Sequence, residues 1–141
     1  MTRRGRFLFK GALVWLLMPL AAIANGALRD LLLGPLLGEQ AAEILAVLLL
    51  LVLIYLITAV FLSRIGLRYR LADLWALGFL WMILTIAFEF IFFGVSMSVP
   101  ISELLEAPNI FAGELLVVVL VGVLLAPRLA HVGLRFLRQR D

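Results

Sequence analysis

Four long apolar stretches follow one another along the chain, separated by shorter segments that hold most of its charged residues. They cover roughly residues 8–24, 41–62, 74–94 and 110–129. A helix of about 17–22 residues, rising about 1.5 Å per residue, matches a hydrocarbon core of about 30 Å. Because hydrocarbon offers no water to backbone polar groups, only a structure that pairs them internally is expected there. The pattern therefore predicts an all-α integral membrane four-helix bundle that forms a single transmembrane domain, in which short connections make sequential helices antiparallel neighbours.

The segment between the first two stretches, residues 25–40, has the sequence NGALRDLLLGPLLGEQ. It is too apolar for a solvated loop and too short to cross a bilayer again. Gly34 and Pro35 are typical of a helix end. We therefore expect a short helix over residues 27–33 that lies in the outer interface. Within the first stretch, Pro19 is expected to kink the helix.

Positive charge alternates with the apolar stretches. Arg29 is the only Lys or Arg in the segments after the first and third stretches. Because Lys and Arg are retained on the cytoplasmic side, this bias predicts that both termini are cytoplasmic, in a bacterial inner membrane. It also disfavours a dual-topology dimer. The other eleven of the twelve cations are Arg3, Arg4, Arg6, Lys10, Arg64, Arg68, Arg70, Arg128, Arg135, Arg138 and Arg140.

Composition supports a lipid environment. Hydrophobic residues make up 65% of the chain and charged residues 15%, against about 45–50% and about 25% in soluble domains. A soluble protein of 141 residues could not bury that much apolar surface, so the lipid bilayer is the expected partner. A basic balance in a soluble protein would indicate nucleic acid, but here the cations flank the stretches, and no nucleic-acid partner is expected.

The residue inventory excludes several kinds of chemistry. Cysteine is absent and His131 is the single histidine, which excludes thiolate catalysis, Cys-ligated metals and bis-His haem ligation within one chain. The sequence has no nucleophile–base pair, phosphate-binding loop or zinc-protease motif. We therefore expect neither an enzyme nor a cofactor or metal site.

The N-terminus has some features of a cleavable signal. The sequence TRRGRFLFK precedes an apolar run that ends in AIAN, which is similar to a secretory or twin-arginine signal cleaved after Ala24. We expect residues 1–24 to be retained as a true span. Cleavage would leave three spans and place the new terminus outside.

Glu89 is the residue most suggestive of function, since it lies inside the third stretch. A carboxylate at such a depth costs on the order of 2–3 kcal/mol and needs a partner, a proton or water. Helical spacing places it on one stripe with Gly78, Thr85 and Ser96, which is typical of a face turned toward other helices. Glu89 could bind a cation, relay a proton or line a pore. Alternatively, it is structural, and is either protonated or paired with Arg29.

Polar residues after the first stretch complete this candidate set. Arg29 has a side chain long enough to reach back into the membrane, toward Glu89. With Asn25 it joins the predicted polar cluster of Asn25, Arg29, Thr85, Glu89 and Ser96. The outer carboxylates could instead concentrate cations at a mouth, although topology and helix dipoles also explain them. That predicted acidic mouth consists of Glu39, Glu43 and Glu114, and Asp73 on the opposite side is expected to cap the third helix.

Several short motifs resemble a loosely defined set of small bacterial four-span inner-membrane proteins. The chain carries NGALRD, then LGE and later FEF, which are similar to that set's N-G-x-L-R-[DE] turn, L-G-E element and F-E-[FL] helix. In the last outer segment Asn109 and Gly113 fit the set's D-Y-N-x-x-x-G-R pattern, but Glu114 replaces its basic residue. The resemblance implies that Asn25, Arg29 and Glu89 form one outer-leaflet cluster. It implies no activity.

Two functional hypotheses follow. The first is a small homo-oligomeric channel or carrier for an ion or small solute, with Thr85 and Glu89 lining the path. The second is an accessory subunit or assembly factor of a larger membrane complex, in which Arg29 and Glu89 are structural. Replacing Glu89 by Gln distinguishes them, because Gln keeps the size but removes the titratable charge.

Overall fold

The computed structural model describes residues 2–65, 68–92 and 110–140, and for residues 110–116 it describes the backbone alone. These residues form an all-helical structure with no strand among them, which confirms the predicted all-α class. The helices are α1 Arg3–Trp15, α2 Leu17–Leu28, a π-helical turn Arg29–Leu33, α3 Gly34–Leu37, α4 Glu39–Arg64, α5 Leu71–Ile91 and α6 Ile110–Arg140.

Four helical units in the described part of the chain are long and apolar enough to cross a membrane. They are Arg3–Leu37, Glu39–Arg64, Leu71–Ile91 and Val117–Arg140. The shortest has 21 residues, which at about 1.5 Å per residue spans the hydrocarbon core. The four units agree with the four predicted stretches and indicate a multi-pass membrane protein.

The first unit differs from the prediction of a separate interfacial helix over residues 27–33. Helix continues through Asn25 and Gly26 as far as Leu37, so Arg3–Leu37 extends over 35 residues. This helical unit is interrupted early at Leu16, three residues before Pro19. Pro19 has no N–H to donate to the carbonyl of Trp15, so the kink expected from Pro19 takes the form of a local break. The prediction of a separate short helix over residues 27–33 is wrong, because these residues belong to the longer helical unit.

A π turn explains why Gly34 and Pro35 do not end the helix. The backbone N–H of Gly34 donates to the carbonyl of Arg29, five residues earlier. This wider turn accommodates a proline, which can neither donate a hydrogen bond nor pack closely against the carbonyl four residues before it. The helix ends instead at Gly38, whose φ of 86° lies in the left-handed region that glycine adopts without strain.

The order of helices around the bundle also differs from the expected sequence of neighbours. Three side-chain contacts between α1 and α5 share an offset of 70 residues, with Arg3 opposite Asp73, Gly11 opposite Trp81 and Trp15 opposite Thr85. A constant offset means that α1 and α5 run parallel and in register. Helix α6 packs against both α4 and α5, and α2 packs against α4. Consecutive helices α4 and α5 therefore lie diagonally opposite.

Two helices approach each other closely at Gly78, on the predicted stripe of α5. A Cβ atom built there would collide with the backbone carbonyl of Leu124 in α6. Beside this contact, Leu74, Leu77 and Trp81 are at most 1% exposed. The stripe therefore faces other helices, as the small residues in it predicted.

Replacing Gly78 by Ala is expected to destabilise the bundle. The methyl group meets backbone, which cannot move aside as a flexible side chain can, so overpacking should cost about 1–3 kcal/mol. Gly26→Ala is the matched control, because a Cβ there meets nothing within 4 Å and alanine favours helix. The measurement is the midpoint of thermal unfolding in one detergent. Equal midpoints for the two variants would contradict the α5–α6 contact.

Candidate functional site

Asp73 anchors one end of the contact between α1 and α5. Its side chain is 5% exposed, with Oδ2 at 3.5 Å from Arg3 Nη2 and Oδ1 at 3.3 Å from Arg4 Nε. The same carboxylate accepts a hydrogen bond of 2.9 Å from the backbone N–H of Arg70. Asp73 thus caps α5 from its first turn, as predicted, and also holds the N-terminus of α1 beside it.

Two tryptophans continue this contact toward the opposite end. Trp81 Nε1 donates to the backbone carbonyl of Gly11 at 2.8 Å. Trp15 Nε1 donates to Thr85 Oγ1 at 3.0 Å, and that hydroxyl donates to the carbonyl of Trp81 at 2.7 Å. Both indole N–H groups are therefore satisfied within the bundle, as a medium without water requires. We call this row of contacts between α1 and α5 the α1–α5 seam.

Removing the Thr85 hydroxyl is expected to weaken the seam. Thr85→Val keeps the shape but leaves the indole N–H of Trp15 without its acceptor, a cost of about 1–3 kcal/mol. Thr85→Ser keeps the hydroxyl and serves as the control. The midpoint of thermal unfolding should fall for the valine variant and change far less for the serine variant; the reverse order would be inconsistent with the seam.

Glu89 lies one turn beyond Thr85 and borders a cavity of about 40 Å³. The other walls are mainly apolar, with Met18 and Ala22 on α2, Leu50 and Ile54 on α4, and Val119 and Val123 on α6. The volume of the cavity exceeds that of one ordered water, but its walls offer few polar partners. Within the described ranges, no hydrogen bond or ion pair reaches the carboxylate of Glu89. A half-buried acid therefore borders a small, partly open cavity, and no described residue pairs with it.

Arg29 does not pair with Glu89, which corrects one of the two structural explanations offered for that carboxylate. Its Nε lies 3.0 Å from Oδ1 of the adjacent Asp30, and both side chains are exposed. The continuous helix keeps Arg29 on the outer surface, where a neighbouring carboxylate is available without loss of hydration. The pair is therefore expected to contribute little to stability.

The rest of the predicted polar cluster is divided between separate places. Asn25 is 8% exposed, and its Nδ2 donates to the backbone carbonyl of Ala46 at 2.7 Å, which fastens α2 to α4. Thr85 and Glu89 share the internal cavity. Ser96 lies outside the described residues. The structure thus brings Thr85 and Glu89 to one cavity, whereas the described contacts of Asn25 and Arg29 are with other residues.

Two members of the predicted acidic mouth share an open cleft. Glu39, in the first turn of α4, and Glu43, one turn later, line a volume of about 420 Å³ together with Arg29 and Asp30. The side chain of Glu114 lies outside the described residues. Among the residues whose side chains are described, no three His, Cys, Asp or Glu groups are placed to hold a metal ion.

A cleft at the basic end was missed by the sequence analysis. Tyr69, in the segment before α5, lies with its hydroxyl 3.2 Å from Nδ1 of His131 on α6, and the two rings meet edge to face. Burial raises the pKa of the Tyr69 phenol above its ordinary value, and the nearby Arg138 guanidinium acts in the opposite direction. The available signal was the seven-residue spacing of His131 and Arg138, which puts both on one face of α6.

No protein family, curated protein or solved structure was found to match the chain. The motif resemblance to small four-span bacterial proteins therefore stays a prediction. What the residues themselves define is an all-helical protein with four helices able to cross a membrane.

Proposed function

We propose that the chain is a four-span protein of a bacterial cytoplasmic membrane, with both termini inside, that carries a proton or a small cationic solute. The geometry of the described helices supports this orientation. Arg3 and Arg4 meet Asp73 at the start of α5, and Arg138 lies beside Tyr69 at the same end. The cationic segments thus gather at one end, which the charge rule assigns to the cytoplasm.

The observation that carries the proposed activity is that the carboxylate of Glu89, beside a small cavity, has no partner among the described residues. Keeping an acid inside a membrane helix costs on the order of 2–3 kcal/mol, and none of the described residues offsets that cost with a hydrogen bond or an ion pair. A ligand that brings a proton or positive charge would offset it. The carboxylate and the space beside it are therefore a candidate site for a proton or a small cation.

A carrier fits this geometry better than a channel between copies of the chain. A channel would expose Gly78 and Thr85 to its path. In the structure, α6 lies against Gly78, and the Thr85 hydroxyl is hydrogen-bonded to Trp15 and Trp81. Toward the basic end, the space between the helices is filled by Phe7, Phe61 and Trp81, all at most 8% exposed. Passage therefore requires a rearrangement of packed side chains. The described walls of the cavity come from one copy of the chain.

The test is flux in liposomes that contain the purified chain. Glu89→Gln should abolish uptake of protons or of a small monovalent cation driven by an imposed gradient, because Gln cannot exchange a proton or neutralise a cation. Glu43→Gln is the matched control, since it removes a carboxylate from the exposed outer cleft. The Glu89 variant should keep a thermal unfolding midpoint at least equal to that of the wild type.

Flux that persists in Glu89→Gln, or flux that Glu43→Gln removes equally, would overturn the carrier proposal. The wild-type chain must also exceed empty liposomes in the same assay. Membrane insertion is measured separately, by the resistance of the chain to extraction with alkaline carbonate.

One observation favours the second hypothesis, an accessory subunit or assembly factor. The first helical unit, with 35 residues, measures about 50 Å along its axis, which exceeds a hydrocarbon core of about 30 Å. At its outer end Leu31 and Leu36 are 80% and 73% exposed. Apolar side chains that project past the lipid core are suited to a partner protein.

This second function predicts that the chain copurifies with a stoichiometric foreign subunit in mild detergent. Native mass spectrometry should detect the complex in the wild type and lose it when Leu31 and Leu36 are both replaced by Gln. Leu137→Gln, at the opposite end and 59% exposed, is the control. A mass equal to the 15.7 kDa chain or to a multiple of it would exclude a stable foreign subunit.

A further inference from the structure

The cleft at the basic end is independent of the Glu89 cavity. It has a volume of about 460 Å³ and lies between the end of α4, the segment before α5 and the last third of α6. Two arginines from different elements, Arg68 and Arg138, line it, together with Ser63, Tyr69 and His131. Its size and polar lining suit a compact charged group rather than an apolar side chain.

Positive charge in this cleft is not neutralised by the described protein. Arg68 and Arg138 form no ion pair within the described ranges, and no carboxylate lines the cleft. The described acid at this end, Asp73, is engaged by Arg3 and Arg4. Both guanidinium groups are exposed and accessible to a ligand, and guanidinium donors match phosphate oxygens in pairs.

Tyr69 and His131 add a neutral hydrogen-bond donor to the same wall. The pair holds two polar hydrogens, one on the phenol and one on the neutral imidazole. Its internal hydrogen bond of 3.2 Å uses one of them, whichever group donates. One O–H or N–H donor therefore remains for a ligand in either tautomer.

We propose that this cleft binds the phosphate of an anionic phospholipid headgroup. A lipid is favoured over free phosphate because exposed apolar side chains on α4, Val52, Leu56 and Val60, lead at helical spacing toward Ser63 in the cleft. Acyl chains can lie along these side chains while the phosphate lies between the arginines. The inference rests on the proposed membrane insertion but not on transport at Glu89.

The experiment measures lipid binding to the full-length chain in mild detergent by native mass spectrometry, with phosphatidylglycerol and phosphatidylcholine titrated separately. The wild type should bind one phosphatidylglycerol about tenfold more tightly than phosphatidylcholine. The double variant Arg68→Gln/Arg138→Gln should lose most of that preference, a decrease of about tenfold. The control Arg6→Gln/Lys10→Gln removes two exposed charges outside the cleft and should keep the preference.

A lysine double variant separates the effect of donor geometry from that of charge. It also keeps the proposal testable if the Arg68→Gln/Arg138→Gln variant does not fold. Arg68→Lys/Arg138→Lys keeps both charges but loses the paired donors of guanidinium, so the preference should fall by a few-fold. A lysine variant that binds as the wild type does, while the glutamine variant does not fold, would overturn the proposed phosphate contact.

Three further outcomes would also overturn the proposal. One is a wild type that binds the two lipids equally well. Another is an equal loss of binding in Arg68→Gln/Arg138→Gln and in the control Arg6→Gln/Lys10→Gln, which would indicate diffuse surface charge. Displacement of phosphatidylglycerol by millimolar inorganic phosphate would assign the cleft to free phosphate instead. Resistance to alkaline carbonate extraction, measured on the membranes before detergent is added, shows whether insertion itself has failed.

Discussion

The need to satisfy two indole N–H groups in an apolar interior organises this bundle. Trp81 reaches the backbone carbonyl of Gly11, and Trp15 reaches the hydroxyl of Thr85. The missing side chain at Gly11 matters, because a Cβ there would collide with Leu77 of α5. These contacts hold α1 and α5 parallel and in register, so α5 lies beside α1 and the following helix, α6, packs against both α4 and α5.

The α1–α5 seam also determines where polar chemistry remains possible. On its basic side, Phe7 and Trp81 are fully buried, and the tilted ring contacts of Phe61 with both fill that part of the core. Beyond Thr85, the helices leave the cavity that Glu89 borders. Thr85 serves both regions, because it completes the hydrogen bonds of the seam and forms one wall of the cavity. The carboxylate and the basic cleft are thus separated by a closely packed layer.

Sequence periodicity was sufficient to predict the four long helices, the inward-facing stripe with Gly78 and Thr85, and the cap at Asp73. These features depend on local composition and on helical spacing. The continuous first helix could not be predicted, because it depends on the Ala46 carbonyl that accepts from Asn25 and on the π turn that accommodates Pro35. Arg29 was one candidate partner for Glu89 because of its charge and its long side chain, but the adjacent Asp30 pairs with it without loss of hydration.

Helices α4 and α6 form a wall that both proposed sites share. Ile54 and Val123 border the Glu89 cavity, and Ser63 and His131 border the basic cleft. Helices α1 and α5 are joined by hydrogen bonds and ion pairs. Helices α4 and α6 meet at small residues instead. Gly122 lies against the Leu51 side chain, and Gly133 lies against the Tyr55 hydroxyl. Helix α6 is also fixed to α5 where a Cβ at Gly78 would collide with the backbone carbonyl of Leu124, so the two proposed sites share one closely packed wall.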